Sequence, residues 1–290
     1  MASESQDRRR LPAWLRKGRT HLLPVHELKA GLRRRGLNTV CESARCPNLH
    51  ECFERGTATF LILGGVCTRN CGFCAVDRGR PAPLDAGEPE QVARMAAEMK
   101  LAYVVITSVT RDDLDDGGSA HFAATVTAVK HALPGARVEV LTPDFRGDEA
   151  AVNRVLAAAP DIFNHNLETV PRLYATVRPQ ADYRRSLGVL AFAAARGVRV
   201  KSGLMVGLGE RPDEVCAALD DLREAGVSIT TIGQYLQPGR RNLPVAEYIA
   251  PEQFERWREY GLSIGFKIVF SGPFVRSSYM ADRVSEQAGC

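Results

Sequence analysis

The sequence predicts an α/β chain folded as a partial (β/α)6 TIM-like barrel, with N-terminal and C-terminal extensions. Three observations carry this expectation. From residue 57 onward, apolar β-rich runs alternate with amphipathic helical patterns, as parallel βαβ units require. Nearly every β-rich run ends in a polar or glycine-rich loop, and barrels gather their chemistry at the C-terminal ends of their strands. Six such loops at one rim fit a barrel mouth better than the single crevice of a doubly wound sheet. Lastly, six of the eight cysteines fall between Cys41 and Cys74, at and before the first of these loops.

Taken in order, strands are expected near Ala58–Leu63, Tyr103–Thr107, Arg137–Leu141, Ile162–Asn166, Val198–Met205, Ile229–Gly233 and Lys267–Ser271. Their β-branched and aromatic content favours a pleated, buried backbone. Helices are expected near Pro89–Met99, Ala120–Leu133, Asp148–Ala158, Tyr183–Arg196, Asp213–Ala225 and Glu252–Leu262, with Gly135, Gly197 and Gly226 punctuating several of their ends. Residues 1–56 read as an N-terminal extension with one helix near His26–Arg35. The barrel is expected over 57–265, followed by a C-terminal segment, 266–290. No internal repeat or low-complexity tract stands out.

Composition excludes several classes. The chain has 290 residues, 45% hydrophobic and 25% charged, as ordinary globular proteins do. No apolar run approaches the length of a bilayer span. The first residues, MASESQDRRRLPAWLRKGR, lack the apolar stretch of a secretory signal. Glu4 and Asp7 argue against an organellar presequence, so a cytoplasmic location is expected. A net charge of +4 gives little support for a nucleic-acid partner. In a cytoplasmic chain, clustered cysteines point to metal or catalysis rather than disulfides. Cys216 reads as a small core residue in a helix, and Cys290 is the last residue.

Cys67, Cys71 and Cys74 stand at C-x3-C-x2-C spacing directly after the run TATFLILGG. A four-iron cluster normally takes four protein thiolates. Three of them leave one iron for a ligand that is not protein. This spacing, with Phe73 before the last cysteine, resembles the signature of the radical S-adenosylmethionine superfamily. The resemblance implies a partial barrel of that type and a 4Fe-4S cluster whose open iron is chelated by S-adenosylmethionine. A second triplet, Cys41, Cys46 and Cys52, reads CESARCPNLHEC. No regular helix or strand aims all three at one centre, but a loop with Pro47 and Asn48 at its turn can. It suggests a second cluster, again one ligand short. Zinc is the competing metal, although C-x4-C-x5-C fits its common spacings poorly.

The two triplets together, with TSVTRDDLDDGG, NHNLET and GPFVRSSY, resemble the lipoyl synthase family over residues 38–280 or so. That resemblance implies a sulfurtransferase of the radical type with two 4Fe-4S clusters. The Cys67, Cys71 and Cys74 cluster would start radical chemistry with S-adenosylmethionine. The Cys41, Cys46 and Cys52 cluster would give up its sulfur to C6 and C8 of a protein-bound octanoyl chain. The fourth ligand of this auxiliary cluster is implied to be Ser278, with Ser277 the alternative. Implied partners are octanoylated lipoyl carrier domains or a glycine cleavage H-type protein, a reductase such as flavodoxin or ferredoxin, and an iron–sulfur carrier for cluster repair. A biotin synthase or methylthiotransferase type fits less well, because neither explains the upstream triplet with RSSY. A zinc module for nucleic acid is the rival from another class.

Other loops supply candidates for binding S-adenosylmethionine. Asn164 and Glu168, at the fourth strand end, offer an amide and a carboxylate suited to ribose hydroxyls; helix capping is the bland alternative. His165 faces away from Asn164 and Asn166 on a strand, and suits a structural role as well as a functional one. The resemblance implies that Arg178 faces the methionine carboxylate, which a planar guanidinium binds in bidentate fashion. Where related enzymes carry a Gly-Gly-Glu stretch this chain reads TSV, so Thr107 and Ser108 become candidates for the methionine amine. Gly203–Glu210 resembles an adenine-side segment, with Met205 and Val206 as apolar contacts; it lacks the G-x-G-x-x-G order of a dinucleotide site. Asp112, Asp113, Asp115 and Asp116 read as a solvated loop capping the next helix.

Overall fold

In the computed structural model, residues 11–15, 38–39 and 57–278 are described. The expected helix at His26–Arg35 and the triplet Cys41, Cys46 and Cys52 lie outside them. Ten strands occur among the described residues: β1 Asn38–Thr39, β2 Thr57–Ile62, β3 Val66–Cys67, β4 Asp77–Arg78, β5 Tyr103–Ser108, β6 Arg137–Leu141, β7 Ile162–Asn164, β8 Arg199–Val206, β9 Ile229–Gln234 and β10 Ile268–Gly272. The helices are α1 Glu88–Glu98, α2 Ser119–Ala132, α3 Glu149–Ala157, the single turn α4 Tyr174–Val177, α5 Tyr183–Ala194, α6 Pro212–Glu224 and α7 Pro251–Ser263.

The main sheet runs β1-β2-β5-β6-β7-β8-β9-β10. Apart from the antiparallel β1, every pairing in it is parallel. Strand order follows chain order with no reversal, which a doubly wound sheet would need at its switch point. The partial barrel is therefore confirmed, with a seventh parallel strand: β10 carries the sheet to Gly272, beyond the boundary at 265.

The two faces of the sheet bury different things. Outward residues such as Phe60, Ile106, Val140, Phe163 and Val200 pack with helix residues including Phe122, Val152, Leu190, Leu219 and Trp257 in one large core. Inward residues Tyr103, Val105, Ile162, Ile229 and Ile268 form a smaller, separate cluster with Phe270. Burying each large apolar side chain contributes roughly 1.5–3 kcal/mol, so the outer core dominates stability. The inner cluster sits low on the strands and acts as a floor.

Local chemistry sets the ends. The Asp148 and Asp182 side chains accept from Ala150 and Arg185 amides at the starts of α3 and α5. Gly197 and Gly226 follow α5 and α6 with φ of 78° and 82°, as expected for left-handed helix ends. Gly135 does not play that part. Its φ is not positive, and α2 stops instead where Leu133 turns to φ −136°.

One strand is shorter than expected. β7 leaves the sheet after Asn164 rather than Asn166, and pairing resumes only where Glu168 bridges Leu204. Glu168 adopts φ 68° there, its amide donating to the Gly203 carbonyl and its carbonyl accepting from Met205. Such a bulge re-aims side chains at a sheet end.

Candidate active site at the barrel mouth

The cysteine loop is made by a sharp turn and a clasp. After β2, Leu63 and Gly64 take φ of 69° and 92° and swing the chain out of the sheet. β3 then pairs with β4, and the Gly79 amide donates to the Cys67 carbonyl at 3.0 Å. Cys67 closes β3, and the loop that follows carries Cys71, Phe73 and Cys74, all four residues half-buried. Three neighbours fasten it. Thr68 N–H donates to the Thr110 carbonyl, Gly72 N–H to Val177, and Leu243 N–H to Gly72, at 3.1, 2.9 and 2.9 Å. Asn242 Nδ2 adds a bond to the Cys74 carbonyl at 2.7 Å.

Arg69 ties this loop to the rim from below. Its Nε and Nη2 donate to Asp112 at 2.7 and 2.9 Å, and Nη2 also reaches Asp144 at 2.6 Å. Asp144 in turn accepts from Arg185 Nε at 2.9 Å. The expectation that the acidic run merely caps a helix holds for Asp116, which accepts from Gly118 and Ala120 amides at the start of α2. It fails for Asp112, whose carboxylate is committed to Arg69 because the cysteine loop folds directly over it.

The three thiols fit a four-iron cluster in several respects. Arg69 and Thr110 backbone N–H groups point at Cys67 Sγ, at 3.4 and 3.3 Å. Amide donors to cluster sulfurs are a recognised means of tuning such centres. A cavity of about 30 Å³ opens among Cys67, Arg69, Asn70, Cys71 and Cys74. Burial raises the Cys71 thiol pKa, and pushes Cys74 up to about 11 despite a hydrogen bond from the Val76 backbone. These thiols stay protonated near neutrality until a metal displaces the proton. Among the described residues no three His, Cys, Asp or Glu side chains converge on a single metal-ion position. A cubane does not need that, since each thiolate binds a different iron. The remaining described cysteine, Cys216, lies on α6 against the outer core and takes no part.

Across the mouth lie several buried polar atoms with no partner: Asn164 Oδ1, Asn166 Oδ1 and Arg178 Nε; Ser108 Oγ, also without one, ends β5 opposite Ile62, on the face of Ile106. Unsatisfied groups of this kind cost about 1–3 kcal/mol each; Thr57 and Thr230 Oγ1, near the starts of β2 and β9, are further examples, but those at the mouth lie where a ligand can reach them. Glycines leave room beside them. In the parallel register Gly203 lies opposite Thr231, and Met205 opposite Gly233, which faces Gly272. A Cβ on Gly203 would come within 2.9 Å of Asn166 Oδ1.

The predicted residues divide accordingly. Thr107 Oγ1 donates to the Leu141 carbonyl at 2.8 Å and is spent on the sheet, whereas Ser108 keeps an unpartnered hydroxyl. Glu168 is held by Asn166 Nδ2 at 3.0 Å; burial raises its carboxyl pKa, outweighing the opposing effects of Arg178 and that hydrogen bond. Arg178 Nη1 donates to the carbonyls of Asn166 and Leu167 at 2.8 and 3.0 Å, leaving Nε free of partners. Met205 is half-buried at the upper end of β8. Gly207 and Gly209 turn the following loop with φ of 98° and 108°, and the Glu210 carboxylate accepts from the Gly207 and Leu208 amides.

His165 is structural. Its Nδ1 donates to the Thr142 carbonyl at 2.8 Å, so Nε2 accepts from Ser186 Oγ at 3.0 Å. Burial drops its pKa to about 4. Ser277 and Ser278 are half-buried just past β10, so they leave the sheet at the same end as the cysteine loop. A Cβ on Gly233 would overlap the Val275 carbonyl oxygen, so glycine is what lets this segment lie across β9. Arg69, Asp144, Asn166 and Asn242 were not anticipated. Asp144 lies in the loop after β6, which carries no distinguishing motif, and neither Asn166 nor Asn242 sits in a spacing that singles it out.

The Radical SAM superfamily model matches residues 61–222. A lipoyl synthase of Nitratidesulfovibrio vulgaris (strain Hildenborough) is 56% identical over 273 residues, covering 94% of this chain and 92% of that protein. One from Caldanaerobacter subterraneus subsp. tengcongensis is 54% identical over 275 residues, covering 94% and 96%. Among solved structures, the FeFe-hydrogenase maturase HydG from Carboxydothermus hydrogenoformans superposes with a TM-score of 0.56 at 14% identity, over 91% of this chain and 78% of that one. The last likeness is one of fold alone.

Proposed function

The chain belongs to the lipoyl synthase family of radical S-adenosylmethionine enzymes, and on that footing we propose how its residues divide the work of placing two sulfurs on an octanoyl chain. Members of this family are sulfurtransferases that use S-adenosylmethionine, iron–sulfur chemistry and an octanoylated carrier. The reading is carried by one observation: a clasped loop of three thiols faces a rim of unpartnered buried polar atoms across a glycine-lined mouth.

Cys67, Cys71 and Cys74 would hold three irons of a 4Fe-4S cluster. Bound with S-adenosylmethionine and reduced, that group supplies an organic radical able to take hydrogen from unactivated carbon, the division of labour usual for cofactor enzymes. The protein's part is placement. Arg69, Asp112 and Asp144 fix the loop, and Asn242 fixes its far end. Glu168, Asn164 and Ser108 offer partners to the hydroxyl and amino groups of S-adenosylmethionine. Arg178 offers its free Nε to the carboxylate, and Met205 and Phe73 contribute apolar surface. The floor formed by Tyr103, Val105 and Ile229 closes the lumen below and keeps water from the reacting carbon.

Cys41, Cys46, Cys52 and Ser278, or Ser277 in its place, would hold a second 4Fe-4S cluster that surrenders sulfur to C6 and C8. The direction in which the segment after β10 leaves the sheet supports this. Lipoyl carrier domains or a glycine cleavage H-type protein would present the octanoyl lysine. Flavodoxin or ferredoxin would bring electrons, and an iron–sulfur carrier would rebuild the spent cluster. No helix among the described residues is long and apolar enough to cross a membrane. A cytoplasmic setting agrees with reduced thiols.

Anaerobic reconstitution followed by single turnover on an octanoyl-lysine peptide tests the reading. The protein should carry about eight irons. Cys41→Ala should keep S-adenosylmethionine cleavage yet place no sulfur on the peptide. Zinc in place of iron, or sulfur insertion by that variant, would contradict it.

A further inference from the structure

Below the mouth, inside the barrel, lies a charged network that the proposed chemistry does not use. Glu139 on β6 and Lys201 on β8 are fully buried and paired, with Nζ 2.9 and 3.1 Å from the two carboxylate oxygens. Tyr103 hydroxyl donates to Glu139 Oε2 at 2.8 Å. Asn164 Nδ2 donates to Oε1 at 2.9 Å. Glu139 thus accepts from three side chains on three strands. A buried ion pair is weak evidence for stability, since replacing it by apolar residues is often neutral. Its retention in an otherwise apolar floor calls for another account.

The consequence of interest falls on Asn164. A side-chain amide can be turned either way round, exchanging a donor for an acceptor. A carboxylate held by Lys201 only accepts, so Asn164 must give it the NH2 edge. Its Oδ1 is then turned away from Glu139. In the register Glu139 pairs with Ile162, and Asn164 lies two residues further toward the mouth. Oδ1 therefore faces the mouth, where it is buried and has no partner.

We infer that Glu139 is a positioning residue, which locks the Asn164 amide so that its oxygen receives a hydroxyl donor of the bound nucleoside. This rests on the reading of the rim as the S-adenosylmethionine site. Lys201 keeps the lock in one state by donating to both Glu139 oxygens, and Tyr103 fixes the carboxylate plane. With Glu139→Gln, the new amide can offer its own NH2 to Asn164, whose amide can then turn and present a donor where an acceptor is needed.

Equilibrium binding to the reconstituted holoenzyme, without turnover, tests this with two probes: S-adenosylmethionine and its analogue lacking both ribose hydroxyls. Glu139→Gln should weaken S-adenosylmethionine about tenfold, one hydrogen bond's worth, and leave the analogue's affinity as in the unsubstituted protein. The double variant Glu139→Gln with Lys201→Met leaves no unpaired buried charge and should show the same selective loss, which keeps the test open if the single variant does not fold. Equal loss for both probes, or no loss for either, overturns the positioning role. Asn164→Ala separates the two layers: undiminished S-adenosylmethionine affinity in that variant overturns the reading of the rim itself. Selective loss in Asn164→Ala without loss in Glu139→Gln overturns only the role of Glu139.

Discussion

Arg69 and Asp144, 75 residues apart in sequence, meet at 2.6 Å with Asp144 fully buried. The contact joins the cysteine loop to the end of β6. Burial alone would raise the Asp144 carboxyl pKa; the Arg69 hydrogen bond and charge reverse this and hold it well below the usual carboxylate range. The pair therefore adds stability above the unfolded carboxyl value near 4, and that share is lost as pH falls through the depressed folded value. Asp144→Asn leaves Arg69 short of a partner and should cost about 3–5 kcal/mol. Denaturant titration measures the cost, and iron content after gel filtration should fall with it.

Asn242 acts on the opposite end of the same loop. Its amide binds the Cys74 carbonyl and comes 170 residues after Gly72. Asn242→Ala should cost only about 1 kcal/mol of global stability. Iron should nevertheless leave several times faster under a chelator, because the loop's far anchor is gone. Release at the unsubstituted rate would assign the bond to the fold alone.

How much of this was legible in the sequence depends on how local the signal is. Val-rich and Ile-rich runs such as YVVITS and RVEVL announce buried strands, and the seven expected ones are all present within a residue or two. Cysteine spacing announces the cluster loop for the same reason. Arg69 with Asp112 and Asp144 was not legible, since one arginine among many declares no partner 43 or 75 residues away. Glu139 and Lys201 were hidden in a different way. In RVEVL and RVKSGLMV they alternate with apolar residues as solvent-facing residues do. Curving the sheet turns that face into the lumen and buries both charges. Glu168 required the bulge after β7, which an extended reading of Ile162–Asn166 conceals.

His165 makes stability pH-dependent from inside the fold. Its pKa is about 4 in the folded chain against 6.5 when unfolded. Between those values the unfolded chain binds more protons, so stability falls as pH drops from 6.5 to 4, by about 3 kcal/mol over the window. His165→Gln should flatten this part of the stability profile in denaturant titrations. An unchanged slope would place the titration elsewhere.

Glu168 and Asn166 form the bulge's polar face, 3.0 Å apart. Glu168→Gln preserves size while removing the charge and one acceptor. S-adenosylmethionine affinity should fall about tenfold or more, as expected for a charge-assisted hydrogen bond, measured by equilibrium dialysis. Iron content should not change, since Glu168 is not among the residues assigned to iron.

The most direct measurement concerns the origin of the product's sulfur. The protein, reconstituted with isotopically labelled sulfide and freed of excess, is given an octanoyl-lysine peptide, S-adenosylmethionine and reductant for a single turnover. Mass spectrometry of the lipoyl product should show label at both sulfur positions, and Cys41→Ala should yield no lipoyl product at all. Product with unlabelled sulfur would contradict the assignment of a sacrificed cluster to Cys41, Cys46 and Cys52.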